Sequence, residues 1–309
     1  MRRPCGGSCH DRPVSDLGAS LTPLAGGHSG RTFAGEVAGE RAVIRIYPPG
    51  DPRGPEAPEV DAAVLRLVRG LLPVAEVLDV RREDAASSQP GLLVTSWMTG
   101  ERGEELVVGL EDAGLARLGR AMGHVAATLA GMPFLHPGPF VDPALAVGRF
   151  PATDLPEWVE IHLTAWSAAE RARLVAVAEE AQDLLDGVDR TCLVHSDLNP
   201  KNVLVDPTTL ELTAVLDWEF AHAGHPWTDV GNLLRFERAP AYVDAVLDAW
   251  TTLRGGTAGA LLAGARAADL WALAELASRA GANPVADRAE VLLHAIADLG
   301  NVHAWPGEW

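Results

Sequence analysis

The chain has 309 residues, 48% of them hydrophobic, and its 42 acidic residues against 25 basic ones give a formal net charge of −17. This length allows two compact domains, each with its own hydrophobic core. The acidic balance argues against nucleic acid or an anionic membrane as a partner, and charged residues interrupt every apolar run that could cross a bilayer. Arg2 and Arg3 precede no apolar segment, so we expect no signal peptide and a cytoplasmic protein.

Residues 21–47 predict three strands with a glycine-rich turn after the first. The strands are expected at 21–25, 33–37 and 41–46. In the turn, backbone N–H groups can approach phosphate oxygens without a Cβ atom in the way. The candidate phosphate-binding residues of this turn are Gly27, His28 and Ser29. The same pattern is common in ordinary hairpins, so the turn alone does not define a site.

The next elements are a helix and two apolar segments. The helix is predicted over 57–67, where a proline stands near the start and apolar residues follow at helical spacing. The apolar segments at 74–80 and 92–100 are separated by a polar loop. Beyond residue 100 a proline-rich loop is expected over 132–156, and the chain should otherwise be mainly helical, because helical periodicity covers 113–131, 157–187 and most of 240–300.

The most informative segment is 195–202, which has the spacing H-x-D-x-x-x-x-N and is followed fifteen residues later by Asp217. Asp197 stands where a carboxylate can take the proton of a substrate hydroxyl, while Asn202 and Asp217 offer the oxygen ligands that Mg²⁺ prefers. Apolar runs at 203–205 and 212–216, joined by turn residues, predict a hairpin. The two candidate metal ligands lie at the two ends of that hairpin. The pattern therefore indicates phosphoryl transfer.

Together, this loop, the hairpin and the sequence Leu-Asp-Trp-Glu around Asp217 resemble the signature of the aminoglycoside phosphotransferase and choline kinase group, relatives of the eukaryotic protein kinases. The resemblance is strong over 193–236, moderate over 20–100 and only architectural elsewhere. It implies an α+β, two-lobed, protein-kinase-like fold with a small antiparallel sheet in the first lobe and a larger helical second lobe. It also implies ATP and Mg²⁺ as cofactors.

The resemblance divides the chain into a nucleotide-binding lobe with its hinge at 1–98 and a lobe with the catalytic loop and acceptor site at 99–309. Its members usually hold the nucleotide phosphates with a lysine on the third strand. The only lysine here is Lys201, in the catalytic loop, so Arg45 takes the matching position. Arginine can grip phosphate with two N–H groups. Arg31, beside the glycine turn, is the alternative cation.

Further roles come from the resemblance. An acid on the following helix would pair with Arg45; Asp61 fits best and Glu59 competes with it. Both are also typical first-turn acids. The backbone at Ser96 and Met98, in the linker between lobes, would bind the adenine edge. Two residues would have structural roles at the site, His195 within the catalytic loop and Asp229 as its brace.

The acceptor is expected to be a small molecule, because only twelve residues separate Asp217 from Asp229 and leave no room for a peptide platform. The acidic charge favours a cationic acceptor. The catalytic loop and residues 222–227 resemble phosphotransferases that modify the tuberactinomycin peptides viomycin and capreomycin. We therefore expect an antibiotic-resistance phosphotransferase acting on a tuberactinomycin or an aminoglycoside.

The alternative is a metabolic kinase with a choline-like or homoserine-like acceptor. Acidic residues in the second lobe are candidates for binding a cationic acceptor, and we expect the protein to be a monomer or a weak dimer. The candidate acids are Asp154, Glu157, Glu160, Glu219 and Glu237.

Overall fold

The computed structural model describes residues 21–24 and 31–307, which group into two compact units. The first unit includes the chain up to Pro58 together with residues 76–97, and the second includes residues 59–75 and the chain from Met98 onward. Within the described residues, no helix is long and apolar enough to cross a membrane. The turn residues Gly27, His28 and Ser29 lie outside the described part of the chain.

The first unit is built on a five-stranded antiparallel sheet in the order β1-β2-β3-β5-β4. Alternation along β3 buries Ala42 and Ile44 against Val94, which forms the core of this sheet. Ala38 and Gly39, which join β2 to β3, both have positive φ, the conformation of the tightest hairpin turns. The strands are β1 Thr22–Pro23, β2 Arg31–Val37, β3 Glu40–Ile46, β4 Val77–Arg81 and β5 Leu92–Ser96.

The second unit is mainly helical, which confirms the α+β expectation. Helix α1 begins in the first unit and continues into the second. The main core of the second unit is formed where α4, α5, α8 and α9 pack together. The described helices are α1 Ala57–Val68, α2 Gly103–Val107, α3 Asp112–Leu129, α4 Leu155–His162, α5 Ala168–Asp186, α6 Thr228–Leu234, α7 Pro240–Arg254, α8 Ala258–Ala277 and α9 Pro284–Leu299.

Helices α3 and α7 approach each other closely because two glycines face the partner backbone. A Cβ atom at Gly119 would lie 2.6 Å from the carbonyl oxygen of Tyr242. A Cβ atom at Gly123 would lie 2.6 Å from that of Val246. Without side chains at these positions the two helices can pack backbone to backbone.

The helical periodicity over 157–187 corresponds to two helices, α4 and α5, with a break between them. Ser167 starts the second helix with a capping box: its Oγ accepts from the Glu170 N–H at 3.3 Å, and its own N–H donates to Glu170 Oε2 at 3.0 Å. Such a cap satisfies donors that a helix start leaves unpaired. Helical periodicity continued across the break and hid it.

Two small sheets in the second unit position the catalytic segment. The predicted hairpin is confirmed as β10 Val203–Val205 and β11 Leu212–Val215, with β6 Glu101–Arg102 added to its edge. The other sheet has the order β7-β9-β12-β8. Its central strands pair antiparallel, so the end of β9 lies beside the start of β12. The strands of this sheet are β7 Pro133–Phe134, β8 Gly138–Pro139, β9 Thr191–Val194 and β12 His222–Gly224.

Candidate active site

The loop that follows β9 is anchored by a buried carboxylate on α6. The N–H of His195 donates to Asp229 Oδ2 at 3.0 Å, and the N–H of Ser196 donates to Oδ1 at 2.9 Å. Burial raises the pKa of the Asp229 carboxyl, while the two backbone donors oppose that shift. Ser196 has a φ of 66°, a left-handed conformation that is costly for a non-glycine residue. The bond to Asp229 helps to hold it there.

His195 joins the loop to the end of the hairpin. Its ring is buried, with Nε2 2.7 Å from the carbonyl oxygen of Leu216. The N–H of Asp197 donates to Nδ1 at 3.3 Å. These two contacts agree only if Nε2 carries the proton and Nδ1 accepts, so the ring is a neutral imidazole with a fixed tautomer. The segment that leads to Asp217 is therefore tied to the loop that carries Asp197.

The Asp197 carboxylate is surrounded by donors from its own loop. Oδ1 accepts from Asn199 Nδ2 at 2.8 Å, and Oδ2 accepts from Asn202 Nδ2 at 2.8 Å. Lys201 Nζ lies 3.1 Å from Oδ2, and one-fifth of the Asp197 side chain remains exposed. The carboxylate thus has a fixed orientation and a solvent-accessible edge.

A short 3-10 helix, Pro200–Asn202, completes the loop. Asn199 caps it by accepting the Lys201 N–H at 3.1 Å. From outside the loop, Arg102 Nη1 donates to the carbonyl oxygen of Lys201 at 2.8 Å. Gly103 also packs here, since a Cβ atom at that position would lie 2.7 Å from the carbonyl oxygen of Pro200.

Asn202 and Asp217 lie at the same end of the hairpin. The N–H of Leu216 donates to the carbonyl oxygen of Asn202 at 2.8 Å, so Asp217 follows directly after a residue that is bonded to Asn202. Asn202 uses its side-chain nitrogen on Asp197, which leaves the amide oxygen as the atom that could bind a metal. An amide oxygen and a carboxylate fit Mg²⁺ chemically. No group of three or more His, Cys, Asp or Glu side chains in the described residues is placed to hold a metal, so phosphate oxygens and water would complete the shell.

The predicted nucleotide-binding residues are divided between the two units. Arg45 is half-buried on β3, with its guanidinium carbon 5.2 Å from the Tyr47 ring centre. The alternative cation, Arg31, is exposed at the start of β2. Ser96 already donates its backbone N–H to the carbonyl oxygen of Glu76 at 2.8 Å. Asp61, which is buried, Glu59 and Met98 belong to the second unit.

Most of the predicted acceptor acids already have local hydrogen bonds. Asp154 caps α4 by accepting the Glu157 N–H at 2.9 Å, and Glu157 Oε2 accepts from Thr153 Oγ1 at 2.6 Å. Glu237 Oε1 accepts from the backbone N–H groups of Arg238 and Ala239. Glu160 is exposed on α4, and Glu219 is buried in the 3-10 helix Trp218–Phe220.

Two direct partners of Asp197, namely Asn199 and Lys201, had no assigned role in the sequence interpretation. Lys201 stands four residues after Asp197 and is the only lysine in the chain. A single lysine placed inside the most specific motif was the signal that could have identified it. For Asn199, no feature of the sequence indicated the hydrogen bond to Asp197.

Comparison with known proteins identifies the class. A family model described as the phosphotransferase enzyme family matches residues 20–262. The chain belongs to this family.

A 55-residue segment is 40% identical to acyl-CoA dehydrogenase family member 11 of Mus musculus, covering 18% of this chain and 7% of that protein. A 79-residue segment is 35% identical to acyl-CoA dehydrogenase family member 10 of Mus musculus, covering 25% and 7%. The chain therefore matches less than a tenth of the length of either relative.

Solved structures are similar over nearly the whole chain. A thermostable variant of aminoglycoside phosphotransferase APH(4)-Ia, in ternary complex with AMP-PNP and hygromycin B, matches with a TM-score of 0.66 and 20% identity over 94% of this chain and 96% of that one. The GDP complex of aminoglycoside 2'-phosphotransferase-IIIa matches with a TM-score of 0.64 and 18% identity over 91% and 93%. At these identities the likeness shows the fold, which is the two-lobed, kinase-like fold expected from the sequence.

The anchoring of the loop by Asp229 is directly testable. Asp229→Asn should lower kcat about 10-fold to 100-fold and reduce thermal stability, because an amide can accept only one of the two backbone N–H groups and a buried donor left unpaired costs about 1–3 kcal/mol. The matched control is Asp206→Asn. Asp206 also accepts two backbone N–H groups, but through one oxygen in an exposed turn, so this variant should behave as wild type. Wild-type kcat in Asp229→Asn would show that the loop does not depend on this carboxylate.

Proposed function

We propose that this phosphotransferase transfers the γ-phosphoryl group of ATP to a hydroxyl group of a small molecule. The observation that carries the proposal is the Asp197 carboxylate, held by Asn199, Asn202 and Lys201 and still accessible to solvent. A carboxylate fixed in this way can orient an alcohol and receive its proton. Membership of the phosphotransferase enzyme family supports the same reaction.

In the proposed reaction the acceptor oxygen forms a bond to the γ-phosphorus as the bond to the β,γ-bridging oxygen breaks. ADP leaves, and the hydroxyl proton passes to Asp197. Mg²⁺, held by Asn202 and Asp217, would neutralise charge on the phosphate oxygens. Because the transition state is loose, the residues act mainly by positioning the reactants. Lys201 lies next to the Asp197 carboxylate, which receives the proton, and keeps that carboxylate in place.

We propose that Arg45 holds the ATP phosphates together with the turn containing Gly27, His28 and Ser29. Asp61, or Glu59 in its place, would orient the arginine, and the backbone near Ser96 and Met98 would bind adenine. Since the Ser96 N–H is already bonded, adenine would need another backbone group of this segment. We assign 1–98 as the nucleotide-binding lobe and 99–309 as the lobe with the acceptor site. Complexes of similar folds with AMP-PNP and with GDP support a purine nucleotide.

Two acceptor classes follow from different observations. The net charge of −17 and the similarity to a fold crystallised with hygromycin B support a cationic antibiotic, either a tuberactinomycin or an aminoglycoside. A metabolic hydroxyl kinase is the second candidate. One observation that favours it is a pocket in the second unit lined by Arg235, Arg238 and Arg266. The other is that Asp154, Glu157 and Glu237 already accept hydrogen bonds from nearby groups of their own chain.

The catalytic role of Asp197 predicts a specific kinetic effect. Asp197→Asn should lower kcat about 10²-fold to 10⁴-fold and leave ATP affinity near wild type, because the amide keeps the shape but cannot take the proton. Asp217→Ala should differ, since it should also lose Mg²⁺-dependent binding of ATP. Steady-state kinetics and nucleotide titration would separate the two effects. Retention of more than half of kcat by Asp197→Asn would remove Asp197 from its role.

The role of Arg45 predicts a change in nucleotide binding. Arg45→Ala should raise the KM for ATP about 10-fold or more, because hydrogen bonds to charged groups contribute about 1.5–3 kcal/mol. Arg45→Lys should recover part of the loss, since lysine keeps the charge but not the planar fork. Arg31→Ala is the matched comparison. If it raised the KM and Arg45→Ala did not, Arg31 would be the phosphate-binding cation.

An acceptor screen distinguishes the two classes. ADP release and product mass should be measured with viomycin, capreomycin, aminoglycosides and choline-like or homoserine-like alcohols. For a polycationic antibiotic bound by acids, the KM should rise steeply with NaCl, because the Debye length falls from about 10 Å at 0.1 M to about 3 Å at 1 M. Expression in a susceptible bacterium should then raise resistance. Turnover confined to metabolic alcohols, with no protection, would contradict the antibiotic candidate.

A further inference from the structure

A pocket in the second unit gathers basic side chains from helix α8 and from the segment between α6 and α7. We call it the arginine pocket: three arginines, Arg235, Arg238 and Arg266, line it together with Asp269. The pocket is narrow and partly open to solvent. Apolar side chains complete the wall, namely Leu234, Leu273, Leu292, Ile296 and Val302. Three basic groups against one acid give this pocket a positive charge inside an acidic protein.

One of the three arginines is already neutralised. Arg235 Nε lies 2.9 Å from Asp269 Oδ2, and Arg235 Nη2 lies 2.7 Å from Oδ1. Asn232 Nδ2 adds a contact to Oδ1 at 3.2 Å. Burial alone would lower the pKa of Arg235, but Asp269 and, to a smaller extent, Asp197 raise it. Asp269 forms its hydrogen bonds with Arg235 and Asn232, and it acts on the pKa of Arg238 through its charge without a hydrogen bond.

Arg238 and Arg266 have buried N–H groups with no hydrogen-bond partner among the described residues: Nε and Nη1 of Arg238, and Nε of Arg266. Arg266 Nη1 lies 2.8 Å from His303 Nδ1, a contact that requires His303 to be neutral. Glu237, the nearest acid in sequence, bonds to backbone N–H groups. Burial and the charge of Arg266 lower the pKa of Arg238 to about 10. The Arg238 guanidinium carbon lies 4.6 Å from the Trp305 ring centre, so the group has a cation–π contact, but its buried N–H donors without an acceptor are costly.

We propose that the arginine pocket binds an anionic group of the acceptor, a carboxylate or a phosphate. Planar guanidinium groups with free N–H donors match the oxygens of both anions. The apolar wall would contact the carbon chain that leads away from the anion. This inference rests on the proposed hydroxyl phosphotransfer and selects the metabolic acceptor over the cationic antibiotic.

The position of the pocket fits an acceptor that reaches from it to Asp197. Arg235 follows α6 directly, and Asp229 at the start of that helix holds the catalytic loop. Six residues of helix correspond to about 9 Å along the axis. An anion in the pocket would therefore place a hydroxyl several bonds away near the catalytic carboxylate.

Direct binding tests the pocket without any catalysis. Inorganic phosphate and acetate should be titrated calorimetrically into the full chain with ADP and Mg²⁺ in excess, so that the nucleotide site is filled. We expect Arg238→Gln and Arg266→Gln each to weaken phosphate binding about 10-fold or more. Arg120→Gln is the matched control, because Arg120 is an exposed arginine in a surface ion pair with Asp248, and it should bind as wild type. Equal binding by all four proteins would overturn the proposal.

A second variant guards against loss of folding in the arginine mutants. Val302→Asp keeps every arginine and adds a carboxylate of similar size to the pocket lining. This internal anion should compete with added phosphate, so we expect the phosphate-induced rise in melting temperature to disappear while the melting temperature without phosphate stays at or above wild type. An unchanged response to phosphate in Val302→Asp would place the anion elsewhere.

Turnover identifies the anion and separates this inference from the proposed function. Hydroxycarboxylic acids of three to eight carbons and phosphate monoesters of diols should be compared with neutral diols and amino alcohols of equal length. We expect the lowest KM for one anionic series, with an increase of about 10-fold or more in Arg238→Gln. Preference for cationic or neutral alcohols would overturn the inference and leave phosphotransfer standing. If the protein did not bind ATP but Arg238→Gln still weakened phosphate binding, only the proposed function would be contradicted.

Discussion

The hydrogen bonds from two backbone N–H groups to one buried carboxylate determine the geometry of the candidate active site. Asp229 holds His195 and Ser196 where β9 ends, and Ser196 can then keep its left-handed conformation. That turn fixes His195, whose ring bonds to Leu216 at the end of the hairpin. Asp197 and Asp217 therefore depend on the same anchor although twenty residues separate them. The contacts are short, buried and convergent, which is how a site keeps its side chains in place before a ligand arrives.

The environment of Asp197 is suited to positioning. Two amide groups and one ammonium group face its two oxygens, and every one of them comes from the same eight-residue loop. The donors to Asp197 are local in sequence, whereas the loop that carries them is held by Asp229 on α6. In a loose transition state little proton transfer is needed early, so the direction of the carboxylate matters more than its basicity. The only lysine of the chain contributes to this arrangement.

Local features of this chain were predictable, and features assembled from distant segments were not. The β10–β11 hairpin follows from apolar runs around a turn, so its prediction needed no tertiary information. The break between α4 and α5 had a readable cap at Ser167 and Glu170, but apolar periodicity on both sides concealed it. The arginine pocket combines residues from 231 to 302 on three helices, on the segment between α6 and α7, and on the segment after α9. No pattern along the sequence brings these side chains together, because only helix packing does.

Net charge alone does not determine the field inside the arginine pocket. Exposed charges farther apart than a Debye length of about 8 Å at physiological salt are largely screened, so most of the −17 is not felt inside a pocket. Guanidinium groups that contact a ligand and are partly removed from water attract its charge more strongly than exposed groups do, because the effective dielectric constant there is lower. The surface charge then governs mainly the rate of encounter, whereas a few buried contacts govern how long a ligand stays. An acidic surface around a basic pocket should therefore slow the arrival of an anion without preventing its tight binding.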